Sequence, residues 1–257
     1  MKSWIFVVVN QKGGVGKTTT TVNTAAALAQ AGKKVLLIDL DPQGNATMGC
    51  GIDKRTLERS VYQMLLGLES PKSVRVATPF GFDVLPSNRD LAAAELELLG
   101  LPDREQRLKM AIAAMADHED DFVLIDCPPS LSMLTLNGLC AARGVIIPMQ
   151  CEYYALEGLS DLVNTIRKVQ SNFNPRLDML GLLRVMYDPR ITLSQQVSEQ
   201  LAAHFGAKVF QTVIPRNVRL AEAPSHGIPG VVFDAASRGA KAYAGFADEL
   251  LARLANF

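Results

Sequence analysis

The feature that most constrains the fold is a glycine-rich turn near the N-terminus, between a predicted strand and a predicted helix. Ile5–Val9 is an apolar, β-branched run typical of a buried strand. Residues 13–16 contain three glycines, and Thr18–Ala31 then has the alanine and leucine content of a helix that ends at Gly32. A strand, a glycine loop and a helix start in this order predict a βα unit that binds phosphate.

The chemistry of this turn favours a bound triphosphate. Glycines allow consecutive backbone N–H groups to turn toward an anion, and the helix start adds its own N–H groups and a partial positive charge. Lys17 supplies a mobile charge for the β- and γ-phosphates, Thr18 a hydroxyl ligand for Mg²⁺, and Thr19 a donor to a more internal phosphate. The predicted phosphate-binding residues are Lys12, Gly13, Gly14, Val15, Gly16, Lys17, Thr18 and Thr19.

The turn departs from the common phosphate-loop pattern at its first position. That position is glutamine, Gln11, where the pattern has glycine, and a second lysine, Lys12, follows it. A cation here faces the mouth of the loop and is not needed to surround the phosphates. Two interpretations stay open: Lys12 is a solvated loop residue, or it reaches a nucleotide bound by another subunit.

The segment Lys12–Thr18 resembles the deviant Walker A motif of the ParA/MinD family of ATPases. The resemblance implies a Mg²⁺-dependent ATP hydrolase that binds ATP and ADP and forms a homodimer when ATP is bound. It also implies that Lys12 crosses the dimer interface to the partner's nucleotide and acts in catalysis together with Lys17.

Two aspartates follow the next predicted strand, residues 34–39. The helix after the glycine loop joins this strand to the first, so a parallel βαβ unit should bring both aspartates to the sheet edge where ligands bind. Asp41 is predicted to orient or deprotonate the attacking water, and Asp39 to support Mg²⁺ through water or to hold the loop. Capping of a turn is the alternative for both. In the ParA/MinD family this stretch is switch I, and the aspartate that matches Asp41 is catalytic.

A third apolar run, Asp121–Asp126, ends in a carboxylate and precedes two prolines. This is the Walker B arrangement, in which a strand beside the phosphate-loop strand ends in an aspartate that contacts Mg²⁺ through water. Here that aspartate is Asp126. The turn that follows matches the family's switch II. Ser130 is expected to cap the next helix, Leu131–Ala142.

A loop near the C-terminus is expected to hold the base of the nucleotide. It follows the predicted strand Lys208–Ile214, and loops after late strands of such a sheet lie over a bound base. Pro215 offers adenine an apolar face, and Asn217 offers it amide hydrogen bonds. The run Ile214–Ser225 closely resembles the short, Soj-type members of the ParA family and narrows the resemblance to them.

Arg190 and Arg219 match positions where Soj-type proteins carry DNA-contacting arginines. The resemblance therefore implies non-specific DNA binding on the nucleoid, a ParB-like partner that stimulates hydrolysis, and chromosome or plasmid partition. Ordinary surface arginines are the alternative. The chain has 26 basic and 26 acidic residues, which argues against a basic coat over the whole protein but is compatible with a local stripe.

The whole sequence predicts one α/β domain over residues 1–257, a doubly wound P-loop NTPase fold with a mostly parallel sheet of seven or eight strands. No segment approaches the roughly 20 apolar residues of a membrane span, so a cytoplasmic protein is expected, without an N-terminal helix-turn-helix extension. The last helix, Ser237–Leu254, should dock on the sheet, because Asp248 and Glu249 interrupt the basic face that membrane-binding helices favour.

Three other functions stay open. A cargo-positioning ATPase would share every motif, and a membrane-associated division-site regulator resembling MinD would bind lipid through its last helix. The four cysteines lack metal-binding spacing and predict free thiols, whereas a redox iron protein would use cysteines to bridge a cluster between two subunits.

Overall fold

An eight-stranded sheet organises the chain, which the structure, a computed structural model, describes over residues 3–115, 119–153 and 155–254. The strands are β1 (Trp4–Val8), β2 (Val35–Asp39), β3 (Val76–Ala77), β4 (Asp83–Leu85), β5 (Phe122–Asp126), β6 (Gly144–Met149), β7 (Asp178–Tyr187) and β8 (Val209–Pro215). The α-helices are α1 (Lys17–Gln30), α2 (Asn45–Gly49), α3 (Val61–Leu66), α4 (Pro71–Val74), α5 (Leu91–Glu97), α6 (Arg107–Ala114), α7 (Met133–Ala141), α8 (Ala155–Asn172), α9 (Thr192–Phe205), α10 (Val218–Glu222), α11 (Gly230–Phe233) and α12 (Arg238–Leu254). Short 3₁₀ turns cover Leu98–Gly100, Gly206–Lys208 and Ala223–His226.

The strands follow the order β3-β4-β2-β5-β1-β6-β7-β8. The two-residue strand β3 pairs antiparallel with β4, and the other described pairs are parallel. Parallel neighbours need crossover connections, which the helices supply on both faces of the sheet. The predicted doubly wound α/β fold is confirmed with eight strands, of which β3 is one that the sequence pattern did not indicate.

Each central strand contributes to two hydrophobic cores, because successive side chains point to opposite faces of a sheet. In β1, Val7 packs into one core, whereas Phe6 and Val8 pack into the other. Helices α3 to α9 complete the first core, and α1 and α12 complete the second. Coverage on both faces explains why these strands appear in the sequence as continuous apolar runs.

The helix after the Walker B strand begins later than predicted. α7 begins at Met133, with Ser132 before it, so the expected start at Leu131 is wrong. Ser130 does not cap this helix either, because Ser132 occupies the N-cap position. The Ser130 carbonyl accepts a hydrogen bond from Thr135 Oγ1 at 2.6 Å. The physical reason is the turn that begins at the two prolines: it extends through Ser130 and delays the first helical residue.

The last helix docks inside the fold, as predicted. α12 buries Tyr243, Phe246 and Leu250 in the core that it shares with α1 and β8. The hydroxyl of Tyr243 forms a 3.0 Å hydrogen bond with Thr20, and Phe246 meets Phe210 edge to face with ring centroids 4.8 Å apart. Among the described residues, no helix combines the length and the apolar character needed to cross a membrane.

We expect Phe246→Ala to lower the free energy of unfolding by about 3–5 kcal/mol, because it leaves a cavity and removes the contact with Phe210. Urea denaturation followed by circular dichroism measures the loss. Leu96→Ala is the control, since Leu96 is 76% exposed and its truncation should cost no more than about 0.5 kcal/mol. Equal losses in the two variants would contradict the assignment of α12 to the core.

Candidate functional site

The glycine loop lies between β1 and α1, as predicted. Gly14 and Gly16 have φ angles of 73° and 76°, in the left-handed region that favours glycine. A Cβ on Gly14 would meet no atom within 4 Å, so the loop borders open space before the helix. Asn10 fixes the start of the loop: its side chain donates to the Pro148 carbonyl at 2.8 Å and accepts from the N–H of Lys12 at 3.0 Å. The loop therefore presents backbone donors where an anion is expected.

Two lysines frame this loop. Lys17 is the first residue of α1 and is buried, and its Nζ donates to the carbonyl of Lys12 at 3.0 Å. Burial lowers the pKa of Lys17, although the nearby carboxylates of Asp126 and Asp41 oppose the shift. The Lys12 side chain is half-exposed, and its Nζ forms an ion pair with Glu152 Oε2 at 2.5 Å. In the single chain, then, Lys12 is held by a carboxylate of its own subunit.

Two buried carboxylates meet at the same edge of the sheet. Asp39 and Asp126 end the adjacent strands β2 and β5 and are register partners. Asp126 Oδ2 accepts from Thr18 Oγ1 at 2.8 Å, and Oδ1 accepts from Thr21 Oγ1 at 2.9 Å. Asp39 Oδ2 accepts from the N–H and the hydroxyl of Thr47 at 2.8 and 2.7 Å. The structure thus brings together three of the residues predicted to surround a metal ion: Asp39, Asp126 and Thr18.

Burial raises the pKa of Asp39 to about 6 and that of Asp126 to about 8, and the charge of Asp39 adds to the increase at Asp126. A cation between or beside two such carboxyl groups stabilises their ionised form. Carboxylate and hydroxyl oxygens are also the protein ligands that Mg²⁺ prefers. The donor set therefore fits the predicted Mg²⁺, whereas direct coordination by Thr18 and water-mediated contacts of the two aspartates stay predictions.

Asp41 lies two residues beyond β2 and is 8% exposed. Its N–H donates to Asp39 Oδ1 at 3.0 Å, and its own Oδ1 accepts from the N–H of Gln43 at 2.9 Å. The hydroxyl of Ser87 donates to the Asp41 carbonyl at 2.9 Å. Asp39 therefore holds this loop, which is one of its two predicted roles, and the catalytic role of Asp41 stays a prediction.

A cavity of about 410 Å³ opens beside the start of α1. Thr18 and Thr19 line it together with residues of α2 and of the segment from α10 to α11. Pro215 and Asn217 are not among its lining residues. The side chain of Asn217 instead caps α10, because its Oδ1 accepts from the N–H of Leu220 at 3.2 Å. The proposed contacts of Pro215 and Asn217 with adenine stay a prediction.

The two predicted DNA-contacting arginines follow the neighbouring strands β7 and β8: Arg190 lies in the turn after β7, and Arg219 lies in α10, the short helix after β8. Arg190, whose side chain is 87% exposed, donates to both carboxylate oxygens of Asp188 at 2.9 and 2.7 Å. Arg219 forms an ion pair with Glu222 at 2.9 Å and approaches Asp234 at 3.5 Å. Each arginine therefore has an acidic partner within its own chain.

The structure adds three residues that the sequence analysis did not identify. Thr21 contacts Asp126, and its position three residues after Thr18 on one helix is a signal that would have found it. Glu152 contacts Lys12, and Gln150 Nε2 lies 3.4 Å from the carbonyl of the loop residue 14. Both follow β6, and only the strand order brings them to the glycine loop.

Known proteins resemble this chain over most of its length. A family model described as an AAA domain matches residues 3–179. The chromosome-partitioning ATPase Soj of Thermus thermophilus is 53% identical over 247 residues, which cover 96% of this chain and 95% of that protein. The sporulation initiation inhibitor protein Soj of Bacillus subtilis is 51% identical over 249 residues, which cover 96% of this chain and 98% of that protein. The chain belongs to the Soj/ParA family of ATPases.

A solved structure extends the comparison to bound ligands. A cobyrinic acid a,c-diamide synthase from Mycobacterium smegmatis, with bound ADP and magnesium, shares 43% of its sequence with this Soj/ParA chain at a TM-score of 0.87. The match covers 99% of this chain and 96% of that one. The predicted family and fold are confirmed by these comparisons.

The buried carboxyl pair predicts how the stability of the ligand-free protein depends on pH. Asp39 and Asp126 bind their protons more tightly in the folded protein than in the unfolded chain, where the pKa is near 3.8. The folded protein therefore holds more protons between about pH 4 and about pH 8, and the free energy of unfolding falls as the pH rises through this range. Asp126→Asn should make this fall smaller. At pH values above about 8, the variant should have a higher Tm than the parent protein.

Thermal denaturation at about pH 6 and about pH 8.5, without nucleotide and Mg²⁺, checks this expectation. Asp161→Asn, an exposed site on α8, is the control and should keep the parental pH dependence. An Asp126→Asn protein whose Tm falls with pH as steeply as the parent's would contradict the raised pKa.

Proposed function

We propose that this chain is a Mg²⁺-dependent ATPase that drives chromosome or plasmid partition, and the buried Asp39–Asp126 pair beside the phosphate loop carries the proposal. Backbone N–H groups of residues 12–19 would hold the phosphates of ATP or ADP, and Lys17 would donate to the terminal ones. Mg²⁺, held by Thr18 and through water by Asp39 and Asp126, would neutralise charge on the β- and γ-phosphates. The ADP and magnesium bound by the M. smegmatis relative support this assignment.

Hydrolysis is assigned to residues near the terminal phosphate. Asp41 orients or deprotonates the attacking water, and its hydrogen bonds to Asp39 and Gln43 limit its movement. Lys12 acts in the dimer, where it leaves Glu152 and reaches the partner's nucleotide. An exposed ion pair such as Lys12–Glu152 stabilises the fold by only about 0–1 kcal/mol, so a triphosphate competes well for the lysine.

Dimerisation is the switch in this proposal. Two subunits present twice as many cations to DNA as one, and log K for duplex binding depends on salt with a slope of about −0.9 per phosphate contact. Non-specific DNA binding therefore follows the ATP-bound dimer, and a ParB-like partner stimulates hydrolysis and release. The chromosome-partitioning role of the Thermus relative supports a cytoplasmic protein that works on the nucleoid.

Amide synthesis is the second candidate, because the M. smegmatis relative is described as a diamide synthase. An amide synthase that takes its nitrogen from glutamine needs a reactive thiolate. Burial instead raises the pKa of every cysteine here, to about 11 for Cys140 and Cys151 and further for Cys50 and Cys127. All four thiols are buried and free, which favours the partition ATPase.

Phosphate release by Asp41→Ala tests the proposed function. We expect ATP turnover to fall by about 10²-fold or more, because a positioned general base contributes at least this factor. ATP binding, measured with a fluorescent analogue, should persist in Asp41→Ala and be lost in Lys17→Ala.

Asp161→Ala on α8 is the control and should leave both turnover and binding unchanged. Parental turnover in the Asp41 variant would remove Asp41 from the mechanism. Parental ATP affinity in the Lys17 variant would contradict the phosphate-loop assignment.

A further inference from the structure

Basic side chains converge where β7 and β8 end. Tyr187 and Pro215, the last residues of these strands, are register partners. The turn that carries Arg190 and the segment that leads into α10, the helix that carries Arg219, therefore leave the sheet side by side. Arg190 and Arg219 are both exposed at this edge.

The first turn of α12 packs on the loop after β8. Gly239 fits so closely that an added Cβ would lie 3.0 Å from Asn217 Cβ and 2.6 Å from Leu220 Cδ1. Arg238 precedes this glycine and is exposed, and Lys241 is exposed three residues later. Residues at this spacing are neighbours on one helix face, so α12 places two more cations beside the loop.

These two cations differ from the predicted arginines in their pairing. Arg190 and Arg219 are held by carboxylates of their own chain, as described above. Within the described parts of the chain, the side chains of Arg238 and Lys241 have no hydrogen bond or ion pair. Hydrogen bonds from Arg190 lower the pKa of Asp188 to about 2, and the charge of Arg238 adds to this effect, so Arg238 lies near the 188–190 turn as well.

We propose that Arg238 and Lys241 contact DNA phosphates and join Arg190 and Arg219 into one basic stripe. This inference rests on the proposed function, whose DNA-binding surface it extends to α12. Arg190 must exchange a carboxylate for a phosphate, whereas Arg238 gains a phosphate without losing a hydrogen bond. Arg238 and Lys241 therefore contribute at least as much to DNA affinity as the two predicted arginines.

On α12 itself, the neighbours of the two cations favour a duplex over a lipid surface. Lipid-binding helices place large apolar side chains next to their cations. The exposed face of α12 continues instead with Ala244 and Gly245, which offer no such side chain. Cations with small neighbours are suited to a backbone of regularly spaced phosphates.

Fluorescence anisotropy of a labelled duplex of random sequence, with a non-hydrolysable ATP analogue and Mg²⁺ at several salt concentrations, tests the proposal. Each variant removes one contact from each of two subunits, so Arg238→Ala and Lys241→Ala should each reduce the salt slope by about 2 × 0.9, or 1.8. Arg238→Lys should have the salt slope of the parent protein, because lysine keeps the positive charge that alanine removes.

Lys168→Ala is the matched control, since Lys168 is exposed on α8, which packs against the opposite face of the sheet. Parental slopes in both the Arg238→Ala and Lys241→Ala proteins would overturn the inference while leaving DNA binding itself in place. A parent protein that binds no duplex would contradict the proposed function. Binding of the parent to anionic phospholipid vesicles in place of duplex would overturn the inference as well.

Discussion

Two carboxylates buried side by side, those of Asp39 and Asp126, are the constraint on which this structure depends. The sheet order sets β2 beside β5 and β5 beside β1, so Asp39, Asp126 and the phosphate loop must share one edge. Buried like charges are costly unless hydrogen bonds and a cation compensate them. Hydroxyl groups of α1 donate hydrogen bonds to Asp126, and the N–H and the hydroxyl of Thr47 donate to Asp39. Under the proposed function, Mg²⁺ would supply the cation that completes this compensation.

Lys12 takes two positions in the proposed cycle. Without a partner, Lys12 is held by Glu152 on the loop after β6, at the rim of the site. A triphosphate on a second subunit offers more charge than one carboxylate does. An exposed ion pair such as Lys12–Glu152 is weak enough to be exchanged, and under the proposed function Lys12 would then contact the partner's nucleotide.

Local patterns were sufficient for the elements that the sequence predicted correctly. The glycine loop, the strand ends at Asp39 and Asp126 and the docking of α12 all follow from spacing within one segment. Contacts between distant segments were not predictable in this way. Glu152 lies 140 residues from Lys12, and only the strand order brings the two together. Asp188 and Glu222, by contrast, lie two and three residues from Arg190 and Arg219, so local spacing would have indicated these ion pairs. The family resemblance gave the roles of residues but not these partners.

The molar mass in solution tests most directly whether a triphosphate joins two copies of this chain. Light scattering should give the mass of two chains with Mg²⁺ and a non-hydrolysable ATP analogue, and the mass of one chain with ADP or with no nucleotide. Lys12→Ala, which keeps Lys17 and the phosphate loop, should stay at one chain in all three conditions. The same mass for the parent protein in every condition would contradict the account.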